Sequence, residues 1–474
     1  MIERLEADVV VIGAGAGGAV AAAELAEGGA DVVLLEQGPV HDPDTFSARP
    51  LDMMARIYRD GGQGLTVGNT PIVLPLGRGV GGTTLVNSGT CFRTPAKVLE
   101  RWRTEFGLEG MTDAELDPCF QRVEEALSIS EVTPELAGNN AAVARRGAER
   151  LGWSHGYLRR NAKGCVGSGV CAFGCPASAK QHVGITYVPR AQAAGARLIT
   201  GADVTDIVVT RGHARGIEAT VGGGRLSVSA PDVIVACGTI HTPLLLKRSG
   251  IGAASGQLGR NLALHPATGG LALMDEVVDM AKGVPQSFYV DEFAGEGIMF
   301  EGIAGPPSYA ALTLPLTGDA HARAMANYRH LASFGLMVSD TSRGSVRSVA
   351  GRPVIRYDVN REDHERVRTG LARMRQLFEA AGAREVYLPE ADKLMAFHPL
   401  GTARADARPE HGVVDGNLKI HGIDGVHVAD GSAVPSSLGV NPQQTIMALA
   451  TRLAHHLLGR PVPRPTTHEE PCPS

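Results

Sequence analysis

Three glycines near the start of the chain have the spacing of a phosphate-binding loop. Gly13, Gly15 and Gly18 form the pattern G-x-G-x-x-G, and the acidic residue Glu36 follows at the end of the next apolar run. In such a loop the first glycine permits a tight turn, the second lets the backbone approach a pyrophosphate, and the third lets a helix pack closely on a strand. A carboxylate at Glu36 can accept hydrogen bonds from ribose hydroxyls. These residues predict a dinucleotide site.

The residues around this loop predict the elements that must position it. Residues 8–12 form a β-branched apolar run, typical of a strand buried on both faces. The alanine-rich residues 19–27 predict a helix that ends at Gly28 and Gly29, and residues 31–35 predict a second buried strand. The order strand, glycine loop, helix, strand and acid indicates a nucleotide-binding βαβ unit, without distinguishing NAD from FAD.

A cysteine cluster could carry a second kind of chemistry. Cys165, Cys171 and Cys175 have C-x5-C-x3-C spacing in a glycine-rich segment that ends in Cys-Pro. Thiolates on such a loop suit an iron–sulfur centre, and three ligands match a three-iron cluster. Cys91, Cys119 or His182 could supply a fourth ligand. The alternatives are reduced thiols in a tightly turned loop, or a disulfide.

Further segments with polar or glycine-rich character follow along the chain. A second glycine-rich loop spans residues 77–87, and an apolar strand at 233–236 leads into residues 238–252, where Pro243 is expected near a helix start. Near the end come the strings F-H-P-L-G-T at 397–402, A-D-G-S at 429–432 and G-V-N-P-Q-Q-T at 439–445.

Taken together, these segments resemble the GMC (glucose–methanol–choline) oxidoreductase family. Residues 77–87 are similar to its first signature, residues 238–252 to its second, and the C-terminal strings to its catalytic and flavin-binding segments. The likeness extends from residue 7 to about residue 458. One departure is Cys91, where the first signature usually carries an aromatic residue or alanine, which affects the expected shape of the local loop.

The resemblance implies an α/β fold, with a Rossmann-like FAD-binding domain and an interleaved α+β substrate domain. The expected FAD-binding domain is discontinuous, comprising residues 1–95, 185–265 and 396–460. Residues 96–184 would form a connecting, cysteine-bearing region, residues 266–395 the substrate domain, and residues 461–474 a flexible tail.

The resemblance also assigns residues to bound FAD. Val204 matches a position that contacts the adenine ring, and Asp430 matches a residue beside the ribityl–pyrophosphate linkage. The full set of expected FAD-binding residues is Gly13, Ala14, Gly15, Ala16, Gly18, Glu36, Gln37, Val80, Gly81, Thr83, Thr84, Asn87, Val204, Asp430, Gly431, Pro442 and Thr445.

His398 and Asn441 match the catalytic pair of the family. Oxidation of an alcohol requires the hydroxyl proton to leave and a hydride to move from the carbon to the flavin, and an imidazole suits the proton transfer. His398 is expected to act as general base or as hydrogen-bond acceptor for the substrate hydroxyl. Asn441 is expected to orient the same oxygen, and a helix N-cap is its structural alternative. Nearby His411, His421 and His427 are expected to be structural.

The cysteine segment has relatives of two kinds. It is similar to a segment of FAD-dependent sugar dehydrogenases in this family, in which the three cysteines hold a [3Fe–4S] cluster. Related long-chain alcohol oxidases carry a similar C-x-x-x-G-C-P-x-x-A-K string without an assumed cluster. The spacing of Cys165, Cys171 and Cys175 fits both kinds of relative and does not distinguish them.

The expected function is oxidation of an alcohol by FAD, on a sugar-like or small polar substrate. Alternatives are a long-chain or sterol-like alcohol oxidase, an amino-sugar 6′-dehydrogenase of aminoglycoside assembly, a hydroxynitrile-lyase type enzyme, and an electron-transfer subunit. Aromatic residues and methionines in 266–395 would suit a lipid-like alcohol, and its acids, including Glu301, a cationic amino sugar. The electron acceptor is open between oxygen, a quinone-like molecule and a redox partner protein.

Length, composition and charge limit the number of domains, the kinds of partner and the location that can be expected. The 474 residues suffice for two or three domains, and a formal net charge of −5 gives no sign of a nucleic-acid partner. The first residues lack the pattern of a secretory signal, and no apolar run has the length of a membrane span. A cytoplasmic location is therefore expected.

Overall fold

The computed structural model describes residues 2–464. Of the predicted tail, residues 461–464 have no regular secondary structure and residues 465–474 lie outside the described part. Within 2–464 the α-helices are α1 (Ala16–Glu27), α2 (Pro50–Ile57), α3 (Ala96–Phe106), α4 (Asp113–Ala126), α5 (Pro134–Leu151), α6 (Tyr187–Ala193), α7 (Gly238–Arg248), α8 (Pro307–Thr313), α9 (Gly318–Ala326), α10 (Arg361–Ala380) and α11 (Gln443–Leu457).

The β-strands of residues 2–464 are numbered in chain order. The first twelve are β1 (Ile2–Glu6), β2 (Val9–Ile12), β3 (Val32–Glu36), β4 (Gly64–Leu65), β5 (Ile72–Leu74), β6 (Ile129–Glu131), β7 (His155–Tyr157), β8 (Arg159–Asn161), β9 (Arg197–Thr200), β10 (Ala202–Thr210), β11 (His213–Val221) and β12 (Gly224–Ser229). The others are β13 (Asp232–Val235), β14 (Ala267–Leu273), β15 (Phe288–Val290), β16 (Ile298–Gly302), β17 (Leu331–Val338), β18 (Ser345–Val349), β19 (Arg352–Arg356), β20 (Glu385–Tyr387), β21 (Leu394–Met395) and β22 (Val426–Val428).

A five-stranded parallel sheet contains the predicted βαβ unit. Its order is β22-β13-β2-β3-β9, and every pair is parallel. All four residues of β2 and all five of β3 are buried, as expected for strands covered on both faces. Helix α1 covers one face and contacts α6 and α11. The predicted strand–loop–helix–strand unit is confirmed, and so is the predicted α/β fold class.

Helix α7 shows one difference from the sequence prediction. Pro243 lies in the second turn of α7 rather than near its start. A proline within a helix frees the carbonyl four residues earlier, here that of Thr239. The Thr402 hydroxyl donates to this carbonyl at 2.6 Å. A side chain from a distant segment therefore satisfies the oxygen, and the helix continues through the proline.

A nine-stranded sheet forms the second large layer. Its main path is β4-β5-β21-β14-β17-β16-β15-β7, and β20 also pairs with β14. Helices α5 and α10 pack against it through a separate apolar cluster that includes Phe300, Phe334 and Phe378. A four-stranded sheet, β1-β12-β11-β10, and the two-stranded sheets β18-β19 and β6-β8 complete the fold.

The two large sheets draw on different parts of the chain. The parallel sheet takes its strands from 9–36, 197–235 and 426–428, whereas β4 and β5, inside the predicted 1–95 segment, pair into the nine-stranded sheet. The division into domains stays a prediction. In the part of the chain described here, no helix is both long and apolar enough to cross a membrane.

Candidate active site

One large cavity runs along the carboxyl end of the parallel sheet and into the nine-stranded sheet. Its volume is about 1130 Å³, and its walls contain residues from β2, the start of α1, β16 and the loop before α11. Small-molecule sites usually occupy about 300–1,000 Å³, so this cavity has room for a large ligand. In open α/β sheets, ligands bind beyond the carboxyl ends of the strands, where this cavity lies.

The first glycine loop forms one end of the cavity. A Cβ on Gly13 would lie 2.3 Å from the carbonyl oxygen of Ala236, and a Cβ on Gly18 would lie 1.9 Å from that of Gly13. Glycine is therefore required at both positions. Helix α1 begins after Gly15 without a side-chain cap, so the amides of its first turn remain available to an anion. The arrangement fits a pyrophosphate.

Glu36 joins the end of β3 to this loop. Its carboxylate accepts hydrogen bonds from the Ala14 amide at 3.0 Å and from the Gly38 amide at 2.7 Å. Burial raises the pKa of Glu36, and the two amides oppose this effect. Beside it, the Gln37 amide nitrogen donates to Asp203 at 3.1 Å, and its oxygen accepts from Arg59 at 3.2 Å. A polar rim thus surrounds this end of the cavity.

The second glycine loop and Asp430 line the middle. The Gly81 amide donates to the Ala14 carbonyl at 2.9 Å and so ties the two glycine loops together. Asp430 is buried and accepts from the Gly238 amide at 2.9 Å, the Thr242 hydroxyl at 2.5 Å and the Ser432 amide at 2.7 Å. Burial raises the pKa of Asp430, and these donors oppose the rise. The start of α7 and the 430–432 segment, which are distant in sequence, therefore meet at this carboxyl group.

His398 and Asn441 meet at the other end. Asn441 Nδ2 lies 3.4 Å from His398 Nε2, and both residues line the cavity. His398 Nδ1 lies 3.2 Å from His265 Nδ1 and 3.2 Å from Met337 Sδ. Burial, with a smaller contribution from His265, holds the pKa of His398 well below its ordinary value. A neutral imidazole and a carboxamide are thus placed side by side on the cavity wall.

Glu301, in the sequence only one acid among several in residues 266–395, also contacts this pair. On β16, it accepts from Asn441 Nδ2 at 3.3 Å and from Gln286 Nε2 at 2.5 Å. Burial raises its pKa to about 7, and the Asn441 hydrogen bond opposes the rise. His265 was not predicted at all. An isolated glutamate and an isolated histidine carry no motif, so their contacts with His398 and Asn441 are visible only in the fold.

The expected FAD-binding residues divide into cavity wall and support. The wall contains Gly13, Gly15, Ala16, Glu36, Gln37, Thr83, Thr84, Asn87, Val204, Asp430, Gly431 and Pro442. Ala14, Gly18, Val80, Gly81 and Thr445 stand behind it. Thr445, for example, is buried and shares a hydrogen bond with the Thr94 hydroxyl at 2.8 Å. The wall residues extend from the phosphate-binding end to Asn441, an extent that fits a dinucleotide carrying a flavin.

The cysteine cluster does not form a metal-binding group. Between residues 2 and 464, no three His, Cys, Asp or Glu side chains are grouped so that they could hold a metal ion. Cys171 Sγ instead accepts from Arg160 at 3.2 Å, and Cys175 is buried. Lys180, in the same segment, donates to the carbonyls of Leu85 and Cys171 at 2.8 Å each. The spacing of Cys165, Cys171 and Cys175 therefore belongs to a tightly turned loop and gives no support to the expected iron–sulfur cluster.

Family models match most of the chain. Residues 54–267 and 340–450 match the N-terminal and C-terminal models of the GMC oxidoreductases, and residues 8–49 match an FAD-binding domain. A GMC-type oxidoreductase of Mycobacterium tuberculosis is 41% identical over 96% of this chain and 76% of its own length. Another from Sinorhizobium fredii is 34% identical over 96% of this chain and 95% of its own.

More distant similarities agree with these matches. A long-chain-alcohol oxidase of Arabidopsis thaliana is 28% identical over 95% of this chain and 67% of its own length. The crystal structure of pyridoxine 4-oxidase from Mesorbium loti superposes with a TM-score of 0.76, covers 95% of this chain and 98% of its own, and is 22% identical. The resemblance to the signatures is confirmed: the chain belongs to the GMC oxidoreductase family and carries an FAD-binding domain.

Proposed function

We propose that this protein binds FAD and uses it to oxidise an alcohol group, CH–OH, to a carbonyl. The observation that carries the proposal is the His398–Asn441 pair, at 3.4 Å, in a cavity whose other end is the Gly13 loop. Bound FAD would supply the acceptor for a hydride from the alcohol carbon. The residues of this chain would bind the hydroxyl, orient it and handle its proton.

The FAD would be held along the cavity wall. The α1 amides after Gly15 would take the pyrophosphate, Glu36 the ribose hydroxyls, and Val204 the adenine ring. Asp430 and the 81–87 loop would flank the middle of the molecule. These assignments rest on the family resemblance together with the positions of the residues in the wall.

The lining supports an apolar alcohol over the sugar-like substrate expected from the sequence. Apolar side chains from α2, α8, the residues just after β5 and β16, the cysteine loop and the segment before His398 line the cavity; they are Met54, Leu312, Leu76, Ile303, Phe173 and Phe397. Burial of each CH₂ group of a substrate chain contributes about 0.8 kcal/mol. The similarity to a long-chain-alcohol oxidase supports the same class. The cationic amino sugar stays an alternative, with Glu301 as its counter-charge.

Product analysis tests the proposal. The purified FAD-containing protein is incubated with straight-chain primary alcohols of increasing length, glucose, an amino sugar and a cyanohydrin, with oxygen or a quinone-like dye as electron acceptor. We expect carbonyl product from the longer straight-chain alcohols, matched by consumption of the acceptor. Cleavage of the cyanohydrin without acceptor consumption would support the lyase alternative. Acceptor reduction by a reduced partner protein, with no product from any alcohol, would support an electron-transfer role.

A further inference from the structure

His265 sits behind His398 in an unusually fixed orientation. Its side chain is fully buried, and its backbone adopts φ of +51°, a left-handed conformation that is uncommon outside glycine. The Asp340 carboxylate holds this backbone by accepting from the Leu264 amide at 2.9 Å and the His265 amide at 3.2 Å. Such strain persists only where the surrounding structure enforces it. Here the enforced backbone places the His265 ring against the His398 ring.

The surroundings also fix which nitrogen of His265 carries the proton. Its Nε2 accepts hydrogen bonds from the backbone amides of Leu438, at 2.9 Å, and Gly439, at 3.1 Å. A ring nitrogen that accepts from N–H groups carries no proton itself. Burial lowers the pKa of His265 to about 3, so the ring is neutral and its single proton is on Nδ1.

This proton determines the tautomer of His398. His265 Nδ1 faces His398 Nδ1 at 3.2 Å, so His265 donates and His398 accepts. Neutral His398 then carries its own proton on Nε2, the nitrogen next to Asn441. His398 therefore presents a hydrogen-bond donor to the cavity, whereas a general base would need a free lone pair there.

Asn441 supplies a second donor beside the first. Its Nδ2 lies 3.4 Å from His398 Nε2 and uses one of its two protons on Glu301 Oε2. The other proton and the Nε2–H of His398 can bind the same substrate oxygen. Two converging donors stabilise developing negative charge on that oxygen.

His398 and Asn441 both present donors, so a proton acceptor must come from another residue, and Glu301 is placed to supply it. Its Oε2 accepts from Gln286 and Asn441, while its Oε1 is buried and has no hydrogen-bond partner within residues 2–464. Tyr289 and Gly335 lie opposite Glu301 on the neighbouring strands β15 and β17, and His398 lies beyond Asn441. No Lys, Arg or His of the described chain forms an ion pair with this carboxylate. Its pKa of about 7 suits a proton acceptor near neutral pH.

We propose that Glu301 accepts the proton of the substrate hydroxyl, while His265 sets the tautomer that makes His398 a donor to the same oxygen. In this step the alcohol O–H bond breaks, its proton binds the Glu301 carboxylate, and its electron pair stays on the oxygen as an alkoxide. The His398 and Asn441 N–H groups hold that alkoxide. The inference rests on the proposed function, and it replaces the expectation from the sequence that His398 is the general base or the hydrogen-bond acceptor.

Variants of Glu301 test the catalytic part on the FAD-containing enzyme. Glu301→Gln should lower the rate of anaerobic flavin reduction by an alcohol about 10²-fold or more, and should remove the fall in kcat/KM below about pH 7. Glu301→Asp, which keeps an acid, should retain more of the rate and a pH-dependent limb. Exposed Glu296→Gln is the matched control and should stay within about twofold of the unchanged enzyme.

Nitrogen NMR tests the positioning part without turnover. In the ¹⁵N-histidine-labelled holoenzyme, the ring-nitrogen signals that disappear in a His398→Asn variant are assigned to His398. We expect this ring to be neutral with its proton on Nε2, and to lose that preference in His265→Gln. A proton on Nδ1 of His398 in the unchanged enzyme would overturn the assignment.

Other outcomes separate this inference from the proposed function. Equal rates and pH profiles for the Glu301 variants and the unchanged enzyme would overturn the role of Glu301 and leave alcohol oxidation standing. A raised KM confined to amine-bearing alcohols would make Glu301 a binding group for a substrate cation instead. If the enzyme without substitutions oxidises no alcohol, that result would contradict the proposed function itself.

Discussion

At the scale of single residues, the site depends on where a few protons lie. The sequence motif around residue 398 was sufficient to predict that His398 and Asn441 belong to one site, and the structure brings them to 3.4 Å. The motif could not predict proton positions, because these depend on the Leu438 and Gly439 amides that meet His265 only in the fold. Glu301 also lies outside every motif, because its contact with Asn441 joins residues that are far apart in the sequence.

Glu36 provides a test of the nucleotide end. It holds the Ala14 and Gly38 amides and is expected to take the ribose hydroxyls of FAD. Glu36→Gln replaces one of the two carboxyl oxygen acceptors by an N–H donor and should weaken FAD binding about 10- to 100-fold, or roughly 1.4–2.8 kcal/mol. Retention of FAD on dilution, followed by flavin fluorescence, measures the loss. Exposed Glu3→Gln should bind FAD as before, and equal retention in both variants would remove Glu36 from the site.

At the scale of elements, loops from distant parts of the sequence are joined by individual polar groups. Thr402 satisfies the α7 carbonyl that Pro243 frees, and Lys180 donates to carbonyls of the second glycine loop and the cysteine loop. The cysteine spacing suggested metal ligation because sequence alone cannot show where side chains point. Strand and helix positions were more predictable, since buried β-branched runs and an alanine-rich stretch have strong local preferences.

Lys180 should be a structural anchor. Its Nζ donates to Leu85 O and Cys171 O at 2.8 Å and to Asn87 O at 2.6 Å, and burial lowers its pKa to about 8. Lys180→Met leaves three carbonyl oxygens without this donor and should reduce the free energy of unfolding by about 3 kcal/mol. Urea unfolding measures the effect. Exposed Lys163→Met should change it by less than about 0.5 kcal/mol, and a similar value for Lys180→Met would contradict the anchor.

Gly17 should be required where α1 meets the C-terminal segment. A Cβ there would lie 1.6 Å from the carbonyl oxygen of Ala429, so the helix or the 429–430 backbone would have to move. Gly17→Ala should lower stability by about 3 kcal/mol and reduce the FAD content of the purified protein. Gly295→Ala, at a site with no atom within 4 Å of the added Cβ, is the matched control. Equal thermal midpoints for the two variants would count against this close packing.

At the scale of the whole molecule, one cavity depends on strands from widely separated stretches of chain. Residues 9–36, 197–235 and 426–428 build the parallel sheet, and β16 adds Glu301 from the other large sheet. The family resemblance predicts a discontinuous FAD-binding domain, whereas local patterns carry no information about how distant segments combine. Local patterns gave no indication that β5, which pairs with β4, would also pair with β21.

The buried histidines give the molecule a characteristic pH dependence of stability. Burial lowers the pKa of His182 and His265 to about 3 and of His241 to about 4, against about 6.5 in the unfolded chain. The unfolded state therefore binds more protons below about pH 6.5. The contribution of these histidines to stability is fully present above about pH 6.5. It is lost as the pH falls toward their pKa values in the folded protein, by about 1.4 kcal/mol per pH unit for each ring.

Unfolding measurements between about pH 7 and pH 5 check this dependence. His182→Gln should make the slope of unfolding free energy against pH shallower by about one proton. Exposed His213→Gln should leave the slope unchanged. An identical slope in His182→Gln and the unchanged protein would show that His182 does not contribute.

Anaerobic reduction of the bound flavin tests the central claim most directly. The FAD-containing protein is mixed with a long-chain primary alcohol in the absence of oxygen, and the oxidised-flavin absorbance is followed in the unchanged enzyme, His398→Asn and exposed His411→Asn. We predict rapid loss of absorbance in the unchanged enzyme and His411→Asn, and a rate lower by about 10²-fold or more in His398→Asn. Absorbance that stays constant in the unchanged enzyme, or falls equally fast in all three proteins, would contradict alcohol oxidation at the His398–Asn441 site.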